Sequence, residues 1–286
     1  MRLGFIGAGV VGTALAVRLR ERGYTVAAVA SRSPSSAGKL ADAVQGCRAF
    51  ERKQAVADAC DLVFVTTPDD AIPGVIAEVQ WRAGQKVIHC SGADSLDVLE
   101  KARGDGACVG AFHPLQTFAN VNHAIENLPG STFALEAEGE LLSTLKGMAE
   151  ALGGHWVVLG PGDKVLYHAA AVIACNYMVT LVKMATDLWA SFGVEPSDAV
   201  RALRPLLQGT VNNITNVGLP NCLTGPIARG DIGTIRKHLA ALEARAPQIA
   251  PIYRAMGLQT IPIALQKGRI NEEKANELRL LLSKSV

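Results

Sequence analysis

Three polar side chains in the middle of the chain have the types and the spacing of a proton-transfer site. In "GDKVLYHAAAVIACNYMVTL", Lys164, His168 and Asn176 stand four and eight residues apart. On a helix this spacing places them along one stripe of an otherwise apolar surface. A lysine or histidine can protonate a developing anion, and an amide can orient it, as the reduction of C=O or C=N requires. The alternative is a surface lysine with a buried histidine and asparagine that neighbouring groups satisfy.

Two further candidates follow β-rich apolar runs. Ser91 lies in "HCSGADS" and His113 in "GAFHPLQTF". If the two strands are parallel, both residues reach the carboxyl edge of the sheet, where ligands bind in open α/β folds. Pro114 biases His113 toward an extended conformation. Histidine can shuttle protons near neutral pH and a serine can hydrogen-bond a substrate oxygen, although an ordered histidine at a strand end can be purely structural.

A glycine-rich loop opens the chain. "LGFIGAGVVGTAL" contains the pattern G-x-G-x-x-G directly after a strand pattern and before a helix pattern. The first glycine permits a tight turn, the second lets a pyrophosphate approach the backbone, and the third allows close helix–strand packing. The residues expected to contact a dinucleotide are Gly7, Ala8, Gly9, Val10, Val11 and Gly12.

The end of the second strand pattern predicts which dinucleotide is bound. An NAD site expects an acidic residue about 20 residues after the glycines, for the ribose hydroxyl. The chain has Ser31, Arg32 and Ser33 there, and no carboxylate until Asp42. A guanidinium and two hydroxyls suit a 2′-phosphate, so the sequence favours NADP; the alternative is a solvated loop arginine.

A third strand end contributes to the same expected crevice. "VFVTTPDDAI" ends in Thr66, Thr67 and Pro68. At the carboxyl edge of the sheet these residues would line the nicotinamide half of the cofactor. A turn that caps the next helix is a compatible alternative.

The loop "LTGPIARGD", from Leu223 to Asp231, interrupts a helix-rich region late in the chain. Gly225 and Pro226 end one helical region, Gly230 is a flexible joint, and Asp231 is expected to cap the next helix. None of these structural roles requires the arginine at position 229. We expect it to bind a substrate carboxylate bidentately, or to pair with an acid across a dimer interface.

The elements that must position these residues follow an α/β pattern. Short apolar runs alternate with helical patterns through the first half of the chain, and the runs are continuously hydrophobic. Such strands are buried on both faces, so the fold class predicted is a Rossmann-type, mostly parallel sheet. The runs are Leu3–Gly7, Thr25–Ala30, Leu62–Thr66, Lys86–Cys90, Val109–Phe112 and Trp156–Leu159.

After "LGPGD" the strand signal fades and an all-helical second domain is expected. One long helix should run from Lys164 to about Ser191, followed by helices from Ser197, from Asp231 and over Asn271–Ser283. The predicted domains are residues 1–160, which bind the nucleotide, and residues 161–286, which bind substrate and form a dimer.

Composition narrows the classes of partner and compartment. The net charge is only +2 and aromatic residues are 5%, which argues against nucleic-acid binding. The six cysteines form no metal-ligand pattern and indicate buried thiols in a reducing compartment, with no metal. The longest apolar stretch, Ala169–Val182, is interrupted by Asn176, Tyr177 and Thr180 and is too short to span a bilayer, so a cytoplasmic protein without a membrane partner is expected. The apolar face of Ala169–Leu188 predicts a homodimer.

Several motifs resemble known families. The chain is similar to the superfamily that shares the 6-phosphogluconate dehydrogenase-like helical domain, which includes ketopantoate reductases, pyrroline-5-carboxylate reductases, prephenate dehydrogenases and coenzyme-F420-dependent NADP oxidoreductases. More closely, "SGA", "FHPLQTF", "YHAAAV", "CNY" and "LTGPIARGD" look like a bacterial family that pairs a Rossmann-like domain with a C-terminal domain of unknown function. This resemblance covers essentially the whole chain.

The resemblance also bears on candidate site residues. Several characterised relatives place a lysine and an asparagine one turn apart on the first long helix of the second domain. If Asn176 matches that asparagine, Val172 stands in the lysine's place, with His168 and Lys164 one and two turns further back. Prephenate dehydrogenases carry a His-Pro after a strand, similar to His113–Pro114.

The resulting hypothesis is an NADPH-dependent oxidoreductase that reduces a small, carboxylate-bearing carbonyl or imine, like a ketopantoate reductase or a pyrroline-carboxylate reductase. Two alternatives stay open. One is hydride exchange between NADP and a deazaflavin, and the other is an NADP(H)-binding sensor without catalysis.

Overall fold

The computed structural model describes residues 1–283, which fold into two compact units. The first unit is Met1–Asn176 and the second begins at Tyr177. The expected boundary at residue 160 differs from this division. The difference arises because the helix that follows residue 160 carries Lys164, which is buried and ion-paired to the sheet of the first unit.

The first unit is built on one eight-stranded mixed sheet with the order β3-β2-β1-β4-β5-β6-β7-β8. All neighbouring strands are parallel except β6 and β7. The prediction of a mostly parallel sheet is confirmed. The strands are β1 Arg2–Ile6, β2 Thr25–Ala30, β3 Arg48–Phe50, β4 Leu62–Val65, β5 Lys86–His89, β6 Cys108–Leu115, β7 Thr132–Glu136 and β8 His155–Val158.

Helices cover the faces of this sheet, as continuous strand hydrophobicity requires. A row of aromatic rings runs across one face: Phe5 stacks on Phe64 at 5.1 Å between centroids, and Phe112 stacks on Phe133 at 4.5 Å. All four rings are fully buried. The helices of the first unit are α1 Val10–Glu21, α2 Pro34–Ala43, α3 Lys53–Ala59, α4 Ile72–Glu78, α5 Glu100–Gly104, α6 Val121–Asn127, α7 Gly139–Ala151 and α8 Asp163–Ala174.

Strands β6, β7 and β8 extend beyond the carboxyl edge of the other strands. The pairing of β5 with β6 ends at His89 opposite Ala111, whereas β6 continues to Leu115 and pairs there with β7. Because β7 is antiparallel, its last residue, Glu136, returns to the level of Ala111. We call the part of β6, β7 and β8 beyond Ala111 the side wall, since it stands next to the strand ends that carry the predicted site.

The second unit is helical, which confirms the expectation for the C-terminal half. Its helices are α9 Asn176–Ala190, α10 Pro196–Val217, α11 Ile232–Arg245, α12 Ala250–Gln266 and α13 Glu272–Ser283. A core of aliphatic side chains from α11, α12 and α13, among them Ile235, Ile261 and Leu278, holds these helices together.

The stretch Asp163–Ala190 extends beyond the apolar stretch Ala169–Val182 on both sides. Its 28 residues are long and apolar enough, by length and composition only, to cross a membrane. A single such helix is weak evidence for a span. Its apolar side chains are largely exposed; Val165 is 66%, Leu166 76% and Val179 69% exposed.

Candidate active site

The glycine loop forms a close contact between β1, α1 and the end of β4. Gly7 has φ +113°, a conformation that L side chains rarely adopt. A Cβ on Gly12 would lie 2.4 Å from Thr66 Oγ1 and 2.6 Å from the Gly7 carbonyl oxygen. A Cβ on Gly9 would meet nothing within 4 Å. The first and third glycines are therefore required by the fold itself, whereas the second keeps a space open above the loop.

That open space lies at the amino end of α1. Gly9 is the N-cap residue of this 12-residue helix, and no side chain caps its first turn. The N–H groups at the start of the helix therefore remain available to an anion, and the helix dipole favours negative charge there. Ala8, Val10 and Val11 line the turn and are half-buried. This arrangement fits a pyrophosphate.

The end of β4 supplies two threonines with different surroundings. The Thr66 hydroxyl donates to the Gly7 carbonyl oxygen over 2.8 Å, so it fixes the loop. Thr67 Oγ1 is buried and has no hydrogen-bond partner within the described residues. A buried hydroxyl without a partner is costly, which fits a polar ligand group at this point. Pro68 is exposed and follows in extended conformation.

The end of β2 places the predicted phosphate-binding residues at the same edge. Ser33 caps α2, its side chain accepting from the Ser36 N–H over 3.2 Å, so its hydroxyl already has a structural task. Arg32 is exposed and forms no salt bridge with any acidic residue of the described chain. Ser31 is half-buried beside it. The guanidinium is thus free for an anionic ligand.

Two imidazoles meet above Gly92, next to the end of β5. The rings of His113 and His168 lie 6.3 Å apart, nearly perpendicular to each other. A Cβ on Gly92 would come within 2.7 Å of His113 Nε2 and 2.8 Å of His168 Cδ2. His113 lies within β6, in the side wall, and His168 lies on α8. The structure therefore brings together two of the histidines that the sequence indicated.

Tyr167, which the sequence analysis did not single out, contacts the first of these histidines. Its hydroxyl lies 2.8 Å from His113 Nδ1, and the two rings meet edge to face at 5.6 Å. Burial, together with the positive charge of Lys164 and the nearby His168, lowers the pKa of His113 to about 4. Burial also raises the pKa of Tyr167 to about 12. At neutral pH both side chains are therefore uncharged.

Ser91 has a different role from the one expected. Its hydroxyl donates to Asp69 Oδ2 over 2.8 Å and accepts from the N–H groups of Ala93 and Asp94 over 3.2 and 3.0 Å. The side chain is 3% exposed. Its hydrogen-bonding capacity is taken up by the turn, so Ser91 shapes the loop that carries Gly92.

Lys164, one turn before His168 on α8, forms a buried ion pair. Its Nζ is 3.0 Å from Glu136 Oε1, and the two side chains are 4% and 11% exposed. Neither atom has a hydrogen bond of ordinary geometry. Burial lowers the pKa of Lys164, and the neighbouring Glu136 carboxylate opposes that shift. The pair ties α8 to the end of β7.

His89 is a second residue that sequence reasoning missed. It is fully buried at the end of β5, in line with Ala111 and Glu136 across the sheet. Its Nδ1 accepts from the Ser91 N–H over 3.2 Å, and its Nε2 has no hydrogen-bond partner in residues 1–283. Burial, reinforced by the charge of Lys164, lowers its pKa to about 3. His89 is thus a neutral support for the Ser91 turn.

The remaining candidates are Asn176, at the end of the first unit, and Arg229, in the second unit. Asn176 is exposed at the start of α9, beyond the end of α8 at Ala174, so it does not continue the buried position of Lys164. In the second unit, Asp231 caps α11 by accepting from the Thr234 N–H over 3.0 Å, as expected. Arg229 ends a short 3-10 turn, is exposed, and forms no salt bridge with the acidic residues described.

The structure also shows the surroundings of the cysteines and of the groups that could bind a metal ion. Within residues 1–283 no group of His, Cys, Asp or Glu side chains could hold a metal ion. The six cysteines are free thiols, but only Cys60 is buried and Cys108 is exposed, so the expectation that all are buried was wrong.

Two family models match the chain. Residues 2–92 match the family described as "NADP oxidoreductase coenzyme F420-dependent". Residues 131–260 match a domain of unknown function, DUF2520. These matches support the prediction of an NADP-dependent oxidoreductase. The pairing of these two models also agrees with the two-part family that the motifs resemble.

One curated enzyme is similar to part of the chain. The 2-(hydroxymethyl)glutarate dehydrogenase of Eubacterium barkeri is 30% identical over 110 residues, which is 36% of this chain and 35% of that enzyme. The chain thus aligns with about a third of the length of this curated relative.

Solved structures cover nearly the whole chain. A candidate NADP oxidoreductase from Bacteroides fragilis is 24% identical with a TM-score of 0.72, covering 91% of this chain and 98% of that one. A reductive aminase from Aspergillus terreus, solved with NADPH and ethyl-5-oxohexanoate, is 19% identical with a TM-score of 0.62, covering 98% and 92%. A pyrroline-5-carboxylate reductase from Coxiella burnetii is 16% identical with a TM-score of 0.61, covering 99% and 98%.

Proposed function

We propose that the protein is an NADPH-dependent reductase of a small carbonyl or imine compound that carries a carboxylate. The observation that carries the proposal is the meeting of His113 and His168 above Gly92. This point lies beside the carboxyl edge of the sheet, where the glycine loop also ends. A nucleotide cradle and a pair of neutral proton-handling side chains next to it are what a reductase needs.

The residues present fit NADP. We assign the pyrophosphate to the space over Gly9 and the amino end of α1, and the 2′-phosphate to Arg32 with Ser31. The unpartnered Thr67 hydroxyl would bind a polar group of the nicotinamide half. When bound, NADPH supplies the hydride.

The other side chains of the cluster orient and protonate the substrate in this proposal. His113 and His168 hydrogen-bond the reacting oxygen or nitrogen. The ion pair of Lys164 with Glu136 keeps α8, and therefore His168, in place against the side wall. Ser91 holds the backbone turn that allows both rings to approach Gly92.

We keep Arg229, in the second unit, as the candidate for binding a carboxylate, and Asn176, at the end of the first unit, as a separate polar candidate. The support for Arg229 is that it is an exposed guanidinium that forms no salt bridge within the described residues, although its charge helps to lower the pKa of the neighbouring Asp231. Guanidinium groups bind carboxylates bidentately. A partner acid across a dimer interface is the competing assignment.

The proposal is tested with purified protein, NADPH and a panel of 2-keto acids, cyclic imines and neutral ketones. Nicotinamide absorbance gives turnover, and NADPH fluorescence gives binding. We expect micromolar NADPH affinity and carboxylate-dependent turnover of at least one class. Tight NADPH binding without turnover of any class would contradict catalysis and favour a sensor. Turnover only with a deazaflavin would favour the hydride exchange that the name of the matched family suggests.

We also propose that the protein is a cytoplasmic homodimer. The support is the exposed apolar surface of α8 and α9, which a second copy would cover.

A further inference from the structure

Tyr167 is the residue of the cluster to which neither the sequence motifs nor the comparisons assign a task. Its hydroxyl has one hydrogen-bond partner among the described residues, His113 Nδ1 at 2.8 Å. The ring is half-buried and meets the imidazole at an interplanar angle of 88°. The Tyr167 hydroxyl therefore points at Nδ1 of His113, and not at Nε2, the nitrogen that lies next to Gly92.

The protons of the pair can be placed by considering both partners. The phenol keeps its proton at neutral pH, because burial raises the pKa of Tyr167 to about 12. The imidazole is neutral, because its pKa lies near 4. A neutral imidazole carries its hydrogen on one nitrogen only. If the phenol donates to Nδ1, that hydrogen is on Nε2, which is the atom next to Gly92.

We propose that Tyr167 is a positioning residue that fixes the Nε2–H tautomer of His113, and that the site is thereby built to reduce a neutral carbonyl rather than an iminium ion. An N–H group donates to the lone pair of a carbonyl oxygen, whereas the nitrogen of an iminium ion has no lone pair to accept. The substrate-class part of this inference rests on the proposed function.

The same pair completes the proton balance of the reduction. When bound, NADPH would supply a hydride to the carbonyl carbon, which would leave an alkoxide on the oxygen. The alkoxide takes the proton from His113 Nε2, while Nδ1 takes the proton from the Tyr167 hydroxyl. Once the alcohol has left, Nε2 takes a proton from solvent and Nδ1 returns its proton to the phenolate. Both side chains are then in their starting forms, with the His113 hydrogen on Nε2.

The tautomer is measured directly by ¹⁵N NMR of protein labelled at histidine, without cofactor. The His113 signals are identified by their loss in His113→Asn. We expect Nε2 of His113 to carry the proton and Nδ1 to show the shift of an unprotonated acceptor. In Tyr167→Phe, which keeps the packed ring, both nitrogens should move toward the mixed value of free imidazole. A protonated Nδ1 in the wild type, or an unchanged spectrum in Tyr167→Phe, would overturn the tautomer assignment.

The chain offers a matched control in its second unit. Tyr253 lies 2.9 Å from His238 Nδ1, with the rings at 5.8 Å and 86°. Tyr253→Phe should alter only the signals of His238 and leave turnover unchanged.

Kinetics then separate the substrate classes. Tyr167→Phe should reduce kcat for a 2-keto acid roughly 100-fold, with an unchanged dissociation constant for NADPH. Wild-type protein should prefer 2-keto acids to permanently charged N-alkyl iminium compounds. Faster turnover of the iminium compounds would refute the carbonyl assignment. A fixed tautomer with no turnover of any substrate would instead count against the proposed function while the tautomer assignment stands.

Discussion

Gly92 has no side chain because two imidazoles occupy the place of its Cβ. It is a requirement of space, since its φ lies outside the left-handed region where glycine is favoured. At the scale of single residues, the proposed site depends on the absence of a side chain at two glycines as well as on the polar groups of His113 and His168. At Gly92 the space is filled by the two imidazoles, and at Gly9 it is open and would admit a phosphate.

We predict that Gly92→Ala inactivates the protein and leaves the cofactor bound. The added methyl would displace His113 and His168, since it would lie under 3 Å from both rings. A shift of about 1 Å in reacting groups costs on the order of 100-fold, so kcat/KM should fall by that factor. Steady-state kinetics and NADPH fluorescence give the two readouts. Gly74→Ala on α4, where a Cβ meets nothing, is the control and should leave both unchanged.

Arg32 is predicted to determine the preference for NADPH over NADH. Arg32→Ala should raise the dissociation constant for NADPH at least tenfold, because a charge-assisted hydrogen bond contributes about 1.5–3 kcal/mol. The dissociation constant for NADH should change little, as NADH has no 2′-phosphate. Titration calorimetry with both nucleotides measures this. Equal losses for the two would place Arg32 outside the phosphate site.

The side chains of the cluster were predictable from sequence to different degrees. His113 and His168 stood out as candidates because a His-Pro after a strand and a polar residue on an apolar helix are visible patterns. Tyr167 did not, because an aromatic residue in an apolar helix is usually interpreted as a packing residue. The bond from Ser91 to Asp69 was not predictable, since it joins two loops that the sequence alone does not bring together.

At the scale of elements, the order of strands decides which side chains converge. The ends of β1, β2, β4 and β5 carry Gly7, Ser31, Thr66 and Cys90 at one level, because the register aligns the residues just before them. The cofactor half was therefore predictable from six apolar runs. Glu136 was not, because β7 was not recognised as a strand; it lies between Gly130 and Gly139 and is only five residues long.

The glycine loop yields a prediction that separates folding from binding. Gly12→Ala should destabilise the protein, since its Cβ would overlap the Gly7 carbonyl and the Thr66 hydroxyl. Gly9→Ala should unfold at the same urea concentration as the wild type, because its Cβ meets open space and its φ of −81° suits alanine. NADPH should nevertheless bind Gly9→Ala at least tenfold more weakly. Full NADPH affinity in Gly9→Ala would place the pyrophosphate elsewhere.

The ion pair between β7 and α8 is predicted to stabilise the first unit only while both charges are present. Lys164→Met leaves the Glu136 carboxylate buried and unpaired, which costs about 3 kcal/mol. Urea unfolding at pH 7 measures the loss.

The double variant Lys164→Met with Glu136→Gln is the control for this pair, since it removes both charges. Its stability should return to within about 1 kcal/mol of the wild type. A double variant as unstable as Lys164→Met would show that packing, and not the unpaired charge, accounts for the loss.

At the scale of the whole molecule, the notable feature is exposed apolar surface. Several large aliphatic and aromatic side chains of α8, α9 and α10 are more than half exposed, a pattern that marks an interaction surface. They are Val165, Leu166, Ile173, Tyr177, Val179, Leu206 and Val217. The division of the chain after Asn176 rather than at residue 160 belongs to the same scale. Composition could not reveal it, since α8 resembles the later helices but carries Lys164 into the first unit.

We predict a dimer in light scattering, with twice the 30.1 kDa mass of one chain. Val179→Lys should shift the protein toward the monomer, because a charge would replace a 69%-exposed apolar contact. Leu280→Lys on α13, where the leucine is 68% exposed, is the control and should remain dimeric. A wild-type monomer that needs no detergent would refute the dimer, and a requirement for detergent would favour membrane association.

The side wall has a consequence for engineering. Strands β1, β2 and β4, which carry the proposed nucleotide-binding residues, contribute no residue to the side wall. The side wall is joined to the rest of the sheet only by the pairing of β6 with β5. If the proposed function holds, random libraries confined to Phe112–Leu115, Thr132–Leu135 and α8 would change the surroundings of His113 and His168 while the residues proposed to bind the nucleotide stay as they are. Selection for a new acceptor could begin from an unaltered NADPH site.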